Sequence, residues 1–160
     1  MGPLDGIKVI DISTIVSGPL AASMLGDQGA EVIKIEPPLK GENARDLGPI
    51  KGDTGALFAA VNRSKKSLAL DLKKESSKEI IYKLIEKTDV IIDNFRPGTL
   101  KRLGLDYENL KKHNTKIIQI SITGYGESGP YSKRRVYDPL IQATAGITDA
   151  QAYEGEPQFM

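Results

Sequence analysis

Two short apolar segments separated by a helix-forming stretch constrain the fold of this chain more than any other feature. The segment IKVIDIS, residues 7–13, is β-branched and bounded by glycines, which is typical of a buried strand, and AEVIKIE, residues 30–36, repeats that pattern. Between them, Pro19 near the start and Gly29 at the end predict a short helix. A strand–helix–strand unit of about 30 residues favours a parallel pair with a right-handed crossover.

The same alternation continues along the chain and predicts an α/β fold. Further strands are expected in SLALDL (67–72), DVIIDNF (89–95) and KIIQISITGYG (116–126), with helices at 73–88 and within 97–113. Residues 37–62 are rich in Gly, Pro and charge, so they predict an excursion over the surface that holds a helical turn or two. The expected architecture is a mostly parallel sheet with helices on both faces.

Composition excludes several classes of function. The chain has the length of one domain, contains no cysteine and has one histidine, His113, so disulfides, thiolate nucleophiles and multi-histidine metal sites are excluded. A net charge of +1 gives no general attraction to nucleic acids or membranes, and no apolar run approaches the roughly 20 residues of a membrane span. The N-terminus is neither a signal peptide nor a basic presequence, which predicts a soluble protein of a reducing compartment.

Ligands of open parallel sheets bind beyond the carboxyl ends of the strands, so the strand exits carry the candidate sites. Glu36 lies where a dinucleotide-binding protein has its ribose-binding acid, but the first turn has one glycine instead of G-x-G-x-x-G, and Pro19 removes an N–H group. No P-loop is present either. A nicotinamide or nucleoside triphosphate site is therefore not favoured.

Several polar residues near these exits allow two interpretations. Asn94, Phe95 and Arg96 leave a predicted strand together, and Arg102 follows in the next helix; they form either a phosphate-binding group or an ordinary turn with solvated arginines. Likewise, the run NRSKKS precedes a predicted strand and is either solvated surface or an anion-binding cluster formed by Arg63, Lys65 and Lys66. His113 lies near a helix end, where we expect a structural role.

The stretch RRVYDPLIQATAG, residues 134–146, places a carboxylate beside a phenol and two cations. Pro139 and the apolar run behind it predict a short helix with Asp138 as its N-cap and Pro139 at the first helical position. The alternative is a catalytic carboxylate.

Taken in order, several segments resemble the family III coenzyme A transferases (formyl-CoA and carnitine CoA-transferases) and the related α-methylacyl-CoA racemases. The matching segments are PLDGIKVIDIS, LGDQGAEVIKIE, NRSKKSLALDLK, DVIIDNFRPGTLKRLGLDY and IIQISITGYGESGPYS followed by YDPLIQATAG. The resemblance implies a Rossmann-like large domain, a small domain and an interlocked homodimer. Because members of this family are far longer, residues 1–160 are expected to be the N-terminal portion of the large domain, without the small domain and the returning C-terminal segment.

The resemblance also implies a set of CoA-binding positions at the strand exits and near residue 137. These positions are Val16, Ser17, Leu70, Asp71, Leu72, Lys73, Asn94, Phe95, Arg96, Arg102, Arg135, Val136, Tyr137 and Asp138. One position departs from the formyl-CoA enzyme, which has an arginine after IKIE where this chain has Pro37. A phosphate or ribose contact is therefore either lost there or supplied by NRSKK.

The implied reaction moves CoA between an acyl-CoA and a carboxylic acid through aspartyl anhydride and thioester intermediates. The nucleophilic aspartate is expected shortly after Met160, since Asp149 does not align with it, so the 160 residues alone are expected to be inactive. A racemase needs a histidine where this chain has Tyr137, a poor base with a pKa near ~10. The racemase and a non-catalytic CoA- or nucleotide-binding module are the alternatives.

The expected partners and location follow from the resemblance together with the composition. The expected partners are acyl-CoA and carboxylate substrates and a second copy of the full-length protein, with no nucleic acid, membrane or metal and no cofactor beyond CoA itself. A cytoplasmic location is expected, with the mitochondrial and peroxisomal matrix as open alternatives.

Overall fold

The structure, a computed structural model, describes residues 2–153 and 155–156 and divides into two compact units with a boundary between Ile122 and Thr123. In chain order the first unit contains β1 (Lys8–Asp11), α1 (Ser17–Asp27), β2 (Glu31–Glu36), a 3₁₀ helix (Asn43–Asp46), β3 (Ile50–Lys51), β4 (Thr54–Gly55), α2 (Ala56–Val61), β5 (Lys65–Ala69), α3 (Glu75–Ile85), β6 (Val90–Asp93), α4 (Thr99–Leu103), α5 (Tyr107–Leu110) and β7 (Ile118–Ser121).

A five-stranded parallel sheet forms the centre of the first unit. Its strand order is β5-β2-β1-β6-β7, and every adjacent pair is parallel. The chain therefore starts in the middle of the sheet, builds outward to β5, and then crosses back to add β6 and β7 on the other side of β1. This is the strand order of the first five strands of a Rossmann fold, so the predicted α/β architecture is confirmed.

Helices cover both faces of this sheet, as predicted, because neighbouring strand residues point to opposite sides. Val9 and Ile92 pack on the face of α1, whereas Ile10 and Ile91 pack on the face of α3 to α5. The larger core lies on the second face, and its buried members are Ile10, Ile12, Ile35, Ile81, Ile85, Ile91, Leu105, Leu110 and Ile117. Both faces being covered explains why the strand segments are almost continuously apolar.

Strand β5 and the excursion at 37–62 differ most from the sequence predictions, and β7 is shorter than the predicted strand at 116–126. Strand β5 begins at Lys65 instead of residue 67 and ends at Ala69, so Lys65 and Lys66 lie within the strand and not before it. The predicted surface excursion at 37–62 contains a 3₁₀ helix, the antiparallel β3–β4 pair and α2, and it buries Glu42. The predicted helical turns there correspond to α2.

The second unit begins at Thr123 and contains α6 (Asp138–Thr144) and α7 (Ile147–Ala150). Helix α6 starts one residue earlier than predicted: Tyr137 occupies the N-cap position, with an extended backbone, and Asp138 is the first helical residue. The Asp138 carboxylate accepts a hydrogen bond from the side-chain amide of Gln142. The prediction of Asp138 as the N-cap is therefore wrong, because this contact lies one turn along the helix and not at its open N–H groups.

Every helix in the described part of the chain is too short or too polar to span a lipid bilayer. His113 has the structural role expected of it, since its ring stacks on Tyr82 with 4.1 Å between the ring centres and 12° between the planes.

Candidate functional site

The strand order reverses between β1 and β6, and this reversal creates a crevice at the carboxyl edge of the sheet. The chain leaves β1 through a short loop, Ile12 to Val16, and enters α1 at Ser17, while Asn94 to Arg96 follow β6 beside it. The predicted CoA-binding positions of β1 and β6 therefore meet at the point where this class of sheet binds ligands.

Asn94 joins the two exits directly. Its Oδ1 accepts a hydrogen bond from the N–H of Thr14 at 2.8 Å, and its Nδ2 donates to the carbonyl of Thr14 at 2.7 Å. The same Nδ2 also donates to Oγ of Ser17 at 3.3 Å. One side-chain amide thus holds both backbone polar groups of a loop residue that lies 80 positions earlier in the chain.

Side chains of β1, of β2 and of the residue before the 3₁₀ helix hold the rest of this loop. The Asp11 carboxylate accepts from the backbone N–H of Ser13 at 2.9 Å and from its hydroxyl, and the Lys34 ammonium donates to the Ser13 carbonyl. Glu42 accepts from the N–H of Ile15 at 2.9 Å. Ile15 itself has φ of 69°, a left-handed conformation that is rare for a β-branched residue and persists only where the surroundings enforce it.

A buried charge cluster lies behind the loop. Asp11 and Lys34 pair in register across β1 and β2, and their side chains are 0% and 1% exposed. The ammonium of Lys65, on β5, lies 2.8 Å from Oδ2 of Asp11 and also donates to the carbonyl of Pro19 and to Asn62. Burial lowers the pKa of Lys65, while the charge of Asp11 opposes that shift.

Glu36 is engaged within the protein and not open to a ligand. Arg45 donates two hydrogen bonds of 2.7 and 2.8 Å to its carboxylate, and the hydroxyl of Ser67 donates a third of 2.9 Å. Burial acts to raise the pKa of Glu36, but these hydrogen bonds outweigh it and hold the pKa below its ordinary value. A ribose-binding role for Glu36 is therefore excluded by its contacts, in agreement with the sequence reasoning against a dinucleotide site.

The three cations of NRSKKS all pair with carboxylates of the chain. Arg63 binds Asp27, Lys66 binds Glu31 at 2.7 Å, and Lys65 is buried in the cluster described above. These contacts favour the structural interpretation of this run over an anion site.

The exit of β5 carries the next group of predicted positions. Leu70 and Leu72 pack against the larger core, and the carboxylate of Asp71 accepts from the backbone N–H of Lys73 at 3.0 Å. This bond closes the turn that leads into α3, and it leaves the side chain of Lys73 exposed at the surface.

Two predicted arginines stand out by their lack of a carboxylate. Phe95 packs against the core, whereas the Arg96 side chain after it is exposed. Arg102, on α4, is exposed and donates to the hydroxyl of Thr99 at 3.1 Å. Within the described residues neither guanidinium forms an ion pair, so no carboxylate of this part of the chain competes with an anionic ligand for them.

The remaining predicted positions, Arg135, Val136, Tyr137 and Asp138, lie together in the second unit. Val136 packs against Gly124 so closely that a Cβ atom built on Gly124 would lie 2.2 Å from it. Arg135 is exposed, and the phenol of Tyr137 is 74% exposed. Asp138 contacts Gln142 as described above.

Four residues that shape the β1 exit were not among the predicted positions: Asp11, Thr14, Lys34 and Glu42. A signal was present for two of them, since Asp11 and Lys34 are charged residues inside runs predicted as buried strands. A charge at such a position needs a buried partner. In the described part of the chain, no three histidine, aspartate or glutamate side chains group together as a metal site would require.

Comparison with known proteins identifies the family. The model of CoA-transferase family III matches residues 4–160. The acetyl-CoA:oxalate CoA-transferase of Acetobacter aceti is 42% identical over 156 residues, which cover 98% of this chain and 40% of that protein. The human succinyl-CoA:glutarate CoA-transferase is 41% identical, over 97% of this chain and 36% of that protein.

A solved structure agrees with the sequence comparisons. The crystal structure of a CAIB/BAIF family protein from Brucella suis superposes with a TM-score of 0.94 at 42% identity, covering 99% of this chain and 43% of that one. This chain thus spans about two fifths of the length of the relatives that it matches. On the matched family model and these relatives, the chain belongs to CoA-transferase family III.

Proposed function

We propose that this chain provides the CoA-binding edge of an enzyme that moves coenzyme A between an acyl-CoA and a carboxylic acid. The observation that carries this proposal is the arrangement of the strand exits. Positions after β1, β5 and β6 lie at one edge of one parallel sheet, and two arginines there have no carboxylate partner within the described residues. CoA carries phosphates and a long pantetheine arm, and this edge combines cations with apolar residues such as Phe95, Leu70 and Leu72.

The proposed chemistry is covalent. A carboxylate attacks the acyl-CoA thioester and releases CoA thiolate, giving a mixed anhydride; the thiolate then attacks the anhydride to form an aspartyl-CoA thioester and free the first acid. The second acid attacks that thioester and releases CoA thiolate, giving a second mixed anhydride; the thiolate attacks the acyl carbon of this anhydride, which forms the new acyl-CoA and frees the aspartate. The aspartate that performs these steps is predicted beyond Met160, so the role proposed for residues 1–160 is binding. CoA is proposed as a substrate, and no further cofactor is required.

The full protein is proposed to act as an interlocked homodimer in the cytoplasm. The matched relatives are named for acetyl-CoA with oxalate and for succinyl-CoA with glutarate. Short acyl-CoA thioesters and dicarboxylic acids are therefore the substrates to test first on a longer form of this protein. Transfer of CoA between them supports the proposal, whereas CoA binding without transfer supports the alternative of a non-catalytic binding module.

Calorimetric titration of the 160-residue chain with CoA tests the binding role directly. Arg102→Gln should weaken CoA binding about tenfold or more, because a charged hydrogen bond to phosphate is worth roughly 1.5–3 kcal/mol. Lys101→Gln is the matched control: Lys101 is an exposed cation of the same helix that is not among the predicted positions, and its loss should leave affinity unchanged. Equal losses in both variants would show a non-specific charge effect and contradict the proposed site.

Catalytic transfer tests the rest of the proposal. The 160-residue chain should give no acyl exchange when supplied with acyl-CoA and an acid. Measurable turnover by this chain alone would overturn the assignment of the nucleophile to a position beyond Met160.

A further inference from the structure

We infer that Asn94 is a positioning residue: its amide locks the β1-exit loop and leaves the hydroxyl proton of Ser17 free to donate to the ligand. The inference rests on the proposed function in one respect, that the ligand at this edge is CoA. It assigns the contact with the ligand to Ser17 and gives Asn94 an indirect role.

The hydrogen-bonding capacity of Asn94 supports this assignment. A side-chain amide has two N–H donors, and those of Asn94 go to the Thr14 carbonyl at 2.7 Å and to Oγ of Ser17 at 3.3 Å. The orientation of the amide is fixed by its partner, because the N–H of Thr14 can only donate and its carbonyl can only accept. No N–H of Asn94 therefore remains for a bound molecule.

Side-chain hydrogen bonds hold three successive residues of the loop that Asn94 contacts. Ser13 is held through both backbone groups by side chains of β1 and β2, Thr14 through both by Asn94, and Ile15 through its N–H by Glu42. Ile15 adopts a left-handed conformation that a β-branched residue keeps only where its surroundings enforce it. This loop ends at Ser17, where α1 begins, so its backbone geometry sets the position of the Ser17 side chain.

The contact between Asn94 and Ser17 determines which atom of Ser17 is available. A hydroxyl that accepts from Asn94 must direct its own proton elsewhere, and Ser17 is exposed at the carboxyl edge. Ser17 is therefore a hydrogen-bond donor for an oxygen of the bound molecule, in the class of a thioester, amide or phosphate oxygen. Removing Asn94 disturbs this donor in two ways, through the hydroxyl itself and through the loop.

Amide hydrogen exchange of the ligand-free chain, followed by NMR, tests the loop. In Asn94→Ala the Thr14 amide should exchange at least tenfold faster than in wild type, while the amide of Ile10 in the central strand keeps its protection and reports that the fold is intact. Ser17→Ala should leave the exchange rate of the Thr14 amide within about twofold of wild type.

If Asn94→Ala does not fold, Asn94→Asp keeps the shape of the side chain and removes both N–H donors, and the Thr14 amide resonance should shift. Unchanged Thr14 exchange in Asn94→Ala, or an unshifted Thr14 resonance in Asn94→Asp, overturns the inference.

Titration with CoA tests the connection to Ser17 by a double-mutant cycle. Ser17→Ala should weaken binding about threefold to tenfold, as loss of one hydrogen bond does. Asn94→Ala should weaken it at least as much, and the double variant should bind within twofold of Asn94→Ala alone. Losses that multiply would mean that Asn94 contacts the ligand independently, which refutes the inference. If wild type fails to bind CoA, the proposed function falls, and the exchange measurement alone decides whether Asn94 positions the loop.

Discussion

Replacement of Lys65 by methionine should destabilise the protein far more than the same change at Lys66. The two lysines are neighbours on β5, and each contacts a carboxylate, so they form a matched pair. The side chains of Lys65 and its partner Asp11 are 2% and 0% exposed, whereas those of Lys66 and Glu31 are 71% and 47% exposed. The two sites therefore differ in burial and in the number of contacts, since the Lys65 ammonium has three hydrogen-bond partners and that of Lys66 has one.

The magnitude for Lys65→Met follows from the contacts that disappear. Methionine fills the space of the lysine stem but removes donors at 2.8, 2.7 and 2.8 Å from Asp11, the Pro19 carbonyl and Asn62. Breaking a buried ion pair by removing one partner costs about 3–5 kcal/mol. The ammonium of Lys34 stays 3.5 Å from the same carboxylate oxygen and compensates in part. We therefore expect a loss near the lower limit, about 3 kcal/mol.

Urea denaturation followed by circular dichroism measures this loss. For an m-value of about 2 kcal/mol/M, the midpoint of Lys65→Met should fall by about 1.5 M, while that of Lys66→Met stays close to wild type. A Lys65→Met midpoint within 0.3 M of wild type, on the order of the error of such a fit, would show that the buried cluster contributes nothing net. Equal shifts in both variants would show that burial is not the cause.

Two further predictions concern the same edge of the sheet. Arg45→Met should lower the free energy of unfolding at neutral pH, because the guanidinium stabilises the charged carboxylate of Glu36. As the pH falls below 4.5, through the lowered pKa of Glu36, the difference from wild type should shrink to the part that the contact between Arg45 and the Phe58 ring contributes. Urea midpoints at several pH values check this, and a pH-independent difference contradicts it. Gly18→Ala should lower the thermal midpoint, because the added Cβ would lie 2.2 Å from Cβ of Ser13. In Gly26→Ala, the control in the same helix, the nearest atom lies 3.3 Å from the added Cβ and helix propensity improves, so its thermal midpoint should stay unchanged or rise.

The strands and their order along the chain were predictable, because buried parallel strands are short apolar runs. Each predicted strand of the sheet has a counterpart in the structure, and the helices fall between them. The boundary of β5 was misplaced for a physical reason. The pattern treats lysines as solvated, but the long stem of Lys65 lies along the sheet and brings its ammonium to a buried carboxylate.

Which residues lie at the strand exits was predictable, but their contacts with one another were not. The strand exits and the resemblance indicated Asn94 and Arg96, which follow β6, and Arg102, which lies on α4; that they bind CoA stays a prediction. That Asn94 holds Thr14 could not be predicted, because it depends on β1 and β6 being neighbours, which two separate apolar runs do not reveal. The one-residue error at Asp138 has a similar origin, since Tyr137 and Asp138 are both compatible with a helix start before Pro139.

The hydrogen bonds between Asn94 and Thr14 also have a consequence for the order of assembly during synthesis. The central strand β1 leaves the ribosome first, but one of its two neighbours, β6, follows about 80 residues later. Until β6 docks, one edge of β1 has no partner, and the loop after it lacks the amide that holds Thr14. Pairing across such a separation is a slow step of folding. We therefore expect a nascent chain to gain affinity for its ligand only once β6 has docked on β1, so that ligand affinity reports the pairing of these two strands.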